Sequence, residues 1–203
     1  MRKIKYFQAI REAQEQLLQK DKSVIIMGLG VNDPKGIFGT TKNLYKKFGN
    51  KRVLETPTSE NAVTGVAIGA AIQGLKPILT HQRVEFSLLS IEQIINQAAK
   101  WNFMSAGEFN IPLVIRLIIG KGWGQGPQHS QSLEVLFSHI PGLKVVVPSS
   151  AYDAKGLLVS SVKDSGPVIF FEHRWLHNID GIVPKKIYSI KIGKAKILQR
   201  GKD

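Results

Sequence analysis

The spacing of hydrophobic residues changes repeatedly along the chain and predicts a regular alternation of helices and strands. Residues 4–20 carry a hydrophobic side chain at every third or fourth position, as one face of an α-helix requires. Residues 23–27 are almost entirely apolar and predict a buried strand. Further strands are predicted at 77–80, 113–119, 144–147 and 167–172, and further helices through 44–48, from 60, at 90–107, near 133–137 and at 151–162.

Apolar strands that alternate with helices are typical of a parallel sheet with both faces covered. The sequence therefore predicts a single α/β domain of three layers, with a mainly parallel sheet flanked by helices, over residues 1–203. In such sheets, ligands bind outside the carboxyl ends of the strands. Polar residues in the loops that follow strands are therefore the best candidates for a functional site.

Two helix starts are predicted from capping residues. Thr40 or Thr41 stands just before the second predicted helix and can cap its N-terminus. Ser90 is followed three residues later by Gln93, which is the spacing of a capping box, and Gly107 is a suitable terminator for that helix. Both helices are therefore expected to begin at a residue that carries a hydroxyl group.

Glu60 is the first residue of a helix that is rich in glycine and alanine. Gly65, Gly69 and Gly74 each cost about 1 kcal/mol of helix stability relative to alanine, and such glycines are usually tolerated where something packs closely. A carboxylate carried by such a helix is a candidate functional group. The alternative is that Glu60 only complements the dipole at the helix N-terminus.

A glycine-rich loop, GKGWGQGPQHSQS at 120–132, follows one predicted strand and contains His129. Histidine titrates near neutrality, which makes His129 a candidate for proton transfer, although a loop histidine bonded only to its neighbours is the alternative. His81 follows another strand and is a weaker candidate. The remaining histidines and two aromatic residues are interpreted as structural: His139, His173, His177, Trp101 and Phe103. Trp123 either lines a site or faces a partner.

The formal net charge of +13 raises the question of nucleic-acid binding. Much of the excess lies in two basic clusters, at 42–52 and at 185–202. Neither cluster has the interleaved aromatic residues of a stacking platform or a recognition-helix motif. A solvated face or an acidic protein partner explains the charge better, so no nucleic-acid partner is expected.

Several classes of protein are excluded by what the sequence lacks. The absence of cysteine excludes a disulfide framework and thiolate metal ligands. No apolar stretch is long enough to cross a bilayer, and the first twenty residues lack the core of a signal peptide, so a cytoplasmic location away from membranes is expected. The phosphate-binding GxxxxGK[ST] loop, the GxSxG elbow, the HExxH motif and a clear GxGxxG fingerprint are absent as well.

Five segments in order resemble one family: ETPTSENAVTGVAIGAAIQGLKPI, EFSLLSIEQIINQAAK, GPQHSQS, IPGLKVVVPSSAYDAKGLL and PVIFFEHRWL. The family is the transketolase-like pyrimidine-binding domain of thiamine-diphosphate enzymes. Within it, the chain is most similar to the beta subunits of 2-oxo acid dehydrogenases, the group that includes the pyruvate, branched-chain and acetoin enzymes. The resemblance extends over nearly the whole chain.

The resemblance implies roles for three residues. Glu60 matches the glutamate that hydrogen-bonds the aminopyrimidine of thiamine diphosphate and so activates the cofactor. Phe86 matches the aromatic residue that packs on the pyrimidine, and His129 matches the histidine that handles the substrate carboxylate or the acyl intermediate. Leu29 stands where many members have an acidic residue, so a second carboxylate is missing. The substrate is left open.

The resemblance also implies a division of labour between subunits. The GDG motif that holds the diphosphate and Mg²⁺ is absent here, so an alpha-type partner is expected to carry it, in a heterotetramer or with a homodimer of this chain. This chain alone is expected to be inactive. Asp164 is a possible ligand of a structural potassium ion, and a lipoyl acyltransferase is a possible further partner.

Two further expectations concern the extent of the chain and its reaction. Residues from about 185 to 203 are interpreted as a tail that leads to a C-terminal domain missing from the sequence. The alternatives to a dehydrogenase are a transketolase-type or synthase subunit that forms carbon–carbon bonds, and a non-catalytic relative retained for assembly.

Overall fold

The computed structural model describes residues 2–197, 199 and 201. Its strands are β1 (Arg2–Lys5), β2 (Val24–Gly28), β3 (Val53–Glu55), β4 (Lys76–His81), β5 (Val114–Ile119), β6 (Lys144–Val146), β7 (Val168–His173) and β8 (Asp180–Val183). Its α-helices are α1 (Tyr6–Lys20), α2 (Leu44–Phe48), α3 (Glu60–Ile72), α4 (Trp101–Met104), α5 (Glu134–Ser138) and α6 (Ala151–Lys163). Short 3₁₀ segments cover Ile37–Gly39, Val84–Ser90, Pro127–His129 and Arg174–Asn178, and Gln93–Ala98 is a π-helix.

Six of these strands form one parallel sheet in the order β3-β2-β4-β5-β7-β6. The predicted α/β fold with a parallel sheet is therefore confirmed. Because all six strands run the same way, the loops that follow them lie along one edge of the sheet. The remaining pair, β1 and β8, forms a separate antiparallel ribbon.

Each face of the sheet is covered by its own hydrophobic cluster, as the apolar strands predicted. Alternate residues of β2 point to opposite faces: Val24 and Ile26 pack with α1 and α6, whereas Ile25 and Met27 pack with α3. The third layer on the α3 side also contains the segment 84–98. The helices on this side carry the residues that surround the candidate site.

Sequence reasoning placed the beginnings of two helices wrongly. Ile4 belongs to β1, where it pairs with Gly181 of β8, and the first helix begins at Tyr6. Helix α2 begins after Asn43, which makes no side-chain cap. Four-residue strands and one-turn helices carry too little periodic signal to be recognised in isolation.

The hydroxyl groups predicted to cap helices have other partners. The Thr40 hydroxyl donates to the Ile37 carbonyl, and the Thr41 hydroxyl accepts from the Ile37 N–H. Ser90 lies inside a 3₁₀ segment and donates to the Ser87 carbonyl. The predicted helix at 90–107 is broken into a π-helix and the short α4, followed by a turn at Gly107.

Helix α3 does not pack closely along its whole length. A Cβ atom added at Gly69 would meet nothing within 4 Å, and Val66 is 63% exposed. Gly74 lies beyond the helix end, in a left-handed conformation. Within the described chain, the close packing predicted for the glycines is therefore absent at Gly69 and Gly74, whereas a Cβ atom at Gly65 would lie 3.4 Å from the Gln93 side-chain oxygen. The face of α3 around Val66 and Gly69 is open.

Of the two aromatic residues predicted to pack in the core, one does so and the other is exposed. Trp101 packs against the core on the α3 side, as predicted, but Phe103 is 87% exposed, so its predicted packing role is wrong.

Tyr188 in the tail packs against the core beside α6. Arg200 and Lys202 of the second basic cluster lie outside the described residues, and the predicted tail boundary stays a prediction. No helix in the described chain has both the length and the apolar character needed to span a membrane.

Candidate functional site

A cavity of about 260 Å³ opens at the carboxyl ends of β2 and β4, on the α3 side of the sheet. From β2 the chain turns to one neighbouring strand, β3, and then crosses back to the other, β4. Such a reversal leaves a crevice between β2 and β4, and ligands bind in crevices of this kind in open α/β sheets. The cavity is lined by Leu29, Thr56, Pro57, Thr58, Glu60, Val63, Leu79, Thr80, His81, Gln82, Phe86 and Leu89.

Glu60 contributes the carboxylate of this cavity. It is the first residue of α3, where the unpaired N–H groups of the first turn favour a negative charge. Its side chain is half-buried and has no hydrogen-bond or ion-pair partner within the part of the chain that the structure describes. The helix therefore fixes the backbone position of Glu60, and its carboxylate is free to bind a ligand.

Phe86 and His129 lie side by side, although forty residues and a strand separate them. Phe86, in the segment 84–90, lines the cavity, and the His129 ring meets its ring edge-on, with 5.4 Å between the centroids. The His129 loop closes tightly: a Cβ atom at Gly120 would lie 2.7 Å from the His129 carbonyl oxygen. Among the described residues, His129 Nδ1 is buried without a hydrogen-bond partner.

His81 is more central to the cavity than the sequence indicated. It ends β4, is 6% exposed and lines the cavity. Burial lowers the pKa of His81 to about 4, so its imidazole is neutral at physiological pH. Its Nε2 has no partner in the described part of the chain and can accept or donate one hydrogen bond to a ligand. The signal for His81 was its position at a strand end, which alone did not separate it from other loop histidines.

The loop after β2 forms another wall of the cavity. Glu55, at the end of β3, accepts hydrogen bonds from the N–H groups of Gly30 and Asn32, at 2.5 and 3.1 Å. The Gln82 side-chain amide donates to the Leu29 carbonyl at 2.8 Å. These contacts bring the half-exposed Leu29 side chain to the cavity. Glu60 is thus the only carboxylate among the residues that line it.

Asp164 lies away from this cavity, at the amino end of β7. Both of its carboxylate oxygens are 2.7 Å from Lys144 Nζ, and one also accepts from the Gly166 N–H at 2.9 Å. The described residues contain no group of three or more His, Asp or Glu side chains arranged to hold a metal ion. A potassium site at Asp164 stays a prediction.

A buried ionic network lies beneath the carboxyl edge of the sheet. Arg116 of β5 donates to Glu172 of β7 through two bonds, at 2.5 and 3.0 Å, and both side chains are fully buried. Arg116 also donates to Gln14, Thr80 and Thr40. Burial opposes ionisation of Glu172, but the charge and hydrogen bonds of Arg116, together with His177, outweigh it and lower the Glu172 pKa. Sequence reasoning missed this network because its members are distant in the chain.

Comparison with known proteins places this arrangement in a family. Residues 2–178 match the family described as "Transketolase, pyrimidine binding domain". The chain is 45% identical over all its 203 residues to the pyruvate dehydrogenase E1 component subunit beta of Porphyra purpurea. It is 45% identical over 212 aligned residues to the acetoin:2,6-dichlorophenolindophenol oxidoreductase subunit beta of Cupriavidus necator. It is 42% identical, over 98% of its length, to the 2-oxoisovalerate dehydrogenase subunit beta of Bacillus subtilis.

The chain spans 61–62% of the length of these three relatives. A solved structure described as a split-gene transketolase, an inactive beta4 tetramer, has the same fold, with a TM-score of 0.77. That match is 19% identical in sequence and covers 98% of this chain and 60% of the other. The family match extends over most of the chain and includes every residue that lines the cavity. The chain therefore belongs to the family of transketolase pyrimidine-binding domains.

Proposed function

We propose that this chain is the pyrimidine-binding, beta-type part of a thiamine-diphosphate-dependent 2-oxo acid dehydrogenase, and that Glu60 activates the cofactor. The observation that carries the proposal is the cavity in which Glu60 and Phe86 lie together, with a carboxylate that has no partner in the described chain. The similar beta subunits of pyruvate, acetoin and 2-oxoisovalerate enzymes support the reaction class.

The residues around the cavity suit an aminopyrimidine ring. The ring is flat, aromatic and polar only at its edge, so it needs apolar walls and a few hydrogen-bonding groups. Val63, Leu79 and Phe86 supply the walls, and Glu60 supplies an acceptor or donor at the rim. The orphaned His81 Nε2 is a further polar atom for the ring edge.

Each residue then has a defined task. When bound, thiamine diphosphate supplies a nucleophilic carbon and an electron sink for decarboxylation. Glu60 would hold a proton in a hydrogen bond to a ring nitrogen of the pyrimidine, and the apolar walls would strengthen that bond by excluding water. Phe86 would fix the ring plane by packing. His129, beside Phe86, would act on the 2-oxo acid by binding its carboxylate or by moving a proton.

The diphosphate end of the cofactor needs a different set of groups. The sequence has no GDG motif, so we propose that an alpha-type partner holds the diphosphate and its Mg²⁺. A heterotetramer with that partner, or a homodimer of this chain, would cover the open face of α3. Potassium at Asp164, transfer to a lipoyl acyltransferase and a cytoplasmic location belong to the same proposal.

Reconstitution tests the proposal directly. The purified chain, alone and with the alpha-type subunit from the same genome, is titrated with thiamine diphosphate and Mg²⁺ by calorimetry. Exchange of the cofactor C2 proton is followed by NMR. We expect tight binding and fast exchange only with both chains present. Tight binding and 2-oxo acid decarboxylation by this chain alone would refute the division of labour, and no exchange in the pair would refute the function.

A further inference from the structure

Two arginines and three aromatic side chains form a cluster beside the candidate site. This arginine–aromatic cluster consists of Phe38, Arg83, Trp123, Arg174 and Trp175. The Arg83 and Arg174 guanidinium carbons lie 5.0 and 4.4 Å from the centre of the Phe38 ring, and that of Arg174 lies 4.8 Å from the centre of the Trp123 ring. Trp123 and Trp175 meet edge-to-face at 4.8 Å. Four distant segments of the chain thus converge on one partly buried positive site.

Neither guanidinium of the cluster has a carboxylate partner within 4.0 Å in the described chain. Arg83 donates only to the Gln82 carbonyl and the Gln125 side chain. Arg174 Nε is buried without any partner among the described residues. Glu85 is the acidic residue that acts on Arg83 over a longer range, and one of its oxygens accepts from the Gln131 N–H.

The other described arginines have their guanidinium groups bonded within the chain. Arg116 is paired with Glu172, Arg2 with Glu12, and Arg11 with Glu15. Arg52, which has no carboxylate partner either, donates to three backbone carbonyls. Two positive groups packed on one ring repel each other, and burial lowers the pKa of both Arg83 and Arg174. Because neither guanidinium has a carboxylate within 4.0 Å in the described chain, and Glu85 acts on Arg83 only from farther away, the two groups can offer N–H donors to an anion.

The cluster adjoins the candidate active site through two segments of chain. Gln82 lines the Glu60 cavity and also a second cavity, of about 350 Å³, that reaches Phe38. Arg83 is the next residue along the chain. On the other side, the loop that carries Trp123 and Gln125 continues to His129, which touches Phe86. The cluster therefore neighbours the Phe86–His129 pair along both segments of chain.

We propose that the arginine–aromatic cluster binds a second anionic group, a carboxylate or a phosphate, at the far end of the 2-oxo acid substrate. The proposal rests on the proposed function and adds the chemical class of its substrate. Guanidinium groups bind both kinds of anion through paired N–H donors, and the aromatic walls exclude water from those bonds. An anionic tail would also relieve the repulsion between Arg83 and Arg174.

A purely structural role makes a different prediction. If the two arginines only hold Phe38 and the glycine-rich loop in place, replacing them would lower kcat/KM by the same factor for all substrates. If they bind an anionic tail, replacement would change the preference between substrates. The ratio of kcat/KM values for charged and uncharged tails therefore distinguishes the two roles.

The test uses the chain reconstituted with its alpha-type subunit and three 2-oxo acids of matched length. One is 2-oxopentanoate, with an apolar tail, and the others carry a terminal carboxylate (2-oxopentanedioate) or a terminal phosphonate. We expect the wild-type enzyme to prefer one of the charged tails, and the better of the two identifies the anion. Arg174→Met and Arg83→Met should each reduce that preference by roughly 10- to 100-fold.

Two further variants complete the design. Arg174→Lys keeps the charge and should restore part of the preference. Arg11→Met, which removes an arginine on the outer surface of α1, is the control and should leave the preference unchanged. Because Arg83 and Arg174 lie on different elements, one variant remains informative if the other does not fold.

The outcomes separate this proposal from the proposed function. Wild-type preference for the apolar tail, or an equal loss toward all three substrates in both methionine variants, would overturn the anion subsite. The same result would follow if an acidic residue of the alpha-type subunit occupied the cluster. Normal C2-proton exchange in the wild-type pair would then leave the proposed function standing, whereas absent exchange would overturn both.

Discussion

Two glutamates of this protein, Glu172 and Glu60, lie near the same edge of the sheet in opposite circumstances. Glu172 is fully buried, and both of its oxygens accept from Arg116. Glu60 is half-buried at the start of α3 and has no partner in the described chain. A carboxylate whose bonding capacity is filled within the chain contributes to the structure, whereas one that is positioned and unpaired can act on a ligand.

The two glutamates differ in how the free-energy cost of removing their charge from water is offset. Removing an ion pair from water costs several kcal/mol per ion, which only close, fully hydrogen-bonded partners offset. Glu172 has such partners, and its pKa is lowered because Arg116 and His177 together outweigh burial. Glu60 keeps part of its hydration and lies at a helix N-terminus, so it needs no protein cation. The predictions below test this contrast.

The largest expected effect is on stability, from Arg116→Leu. This change leaves Glu172 buried without its counter-charge and should lower the free energy of unfolding by about 3–5 kcal/mol. Urea unfolding followed by circular dichroism measures it. The control is Arg11→Leu, which removes a partly exposed pair with Glu15 and a bond to the Lys42 carbonyl and should cost only about 1 kcal/mol. Equal effects of the two variants would remove the distinction between buried and exposed pairs.

Glu60→Gln should have the reverse profile, with little effect on unfolding and a large effect on chemistry. Losing the proton of the carboxyl group should slow exchange of the cofactor C2 proton by about 10²-fold or more in the reconstituted enzyme. Glu92→Gln, an exposed glutamate bonded to Gln93 and Gln97, is the matched control and should not change the rate. Unchanged exchange in Glu60→Gln would refute the assigned role.

Phe86→Ala and His129→Ala should separate cofactor binding from turnover. Loss of the Phe86 ring should weaken cofactor binding by roughly 1–3 kcal/mol, measured by calorimetry on the reconstituted enzyme. His129→Ala should leave cofactor affinity nearly unchanged and lower kcat for the 2-oxo acid. Phe103→Ala, at an exposed phenylalanine, is the control for loss of a ring. The opposite pattern in calorimetry and kinetics would show that the two roles are assigned wrongly.

The smallest effect at neutral pH concerns His81. Because burial lowers its pKa from 6.5 to about 4, the unfolded state binds more protons than the folded state between these values. Above pH 6.5 His81 therefore does not change the free energy of unfolding with pH. As the pH drops from 6.5 toward 4, His81 lowers that free energy by about 1.4 kcal/mol per pH unit. His81→Gln should flatten that part of the profile in urea unfolding. Identical slopes for wild type and variant would contradict the buried neutral histidine.

Elements were predicted correctly from the sequence where their hydrophobic pattern was long enough to repeat several times. The long apolar strands and the helices α1, α3 and α6 were predicted within a few residues, because each carries several repeats of its pattern. The caps were predicted wrongly because the Thr40 hydroxyl, besides its bond to Ile37, accepts from Arg116, which lies far away in the chain. Local preferences give way where a distant charged group offers a stronger hydrogen bond.

For the site, the sequence by itself determined the kinds of chemical group and, through five segments in order, the family. Only the tertiary structure decided which of them meet. The crossover of the chain around β2 brings Glu60, His81 and Phe86 to one cavity, and loop closure brings His129 to Phe86. Glu172 and Glu60 then differ in burial and in pairing. Burial and pairing depend on contacts between residues distant in the chain, and local sequence patterns do not encode such contacts.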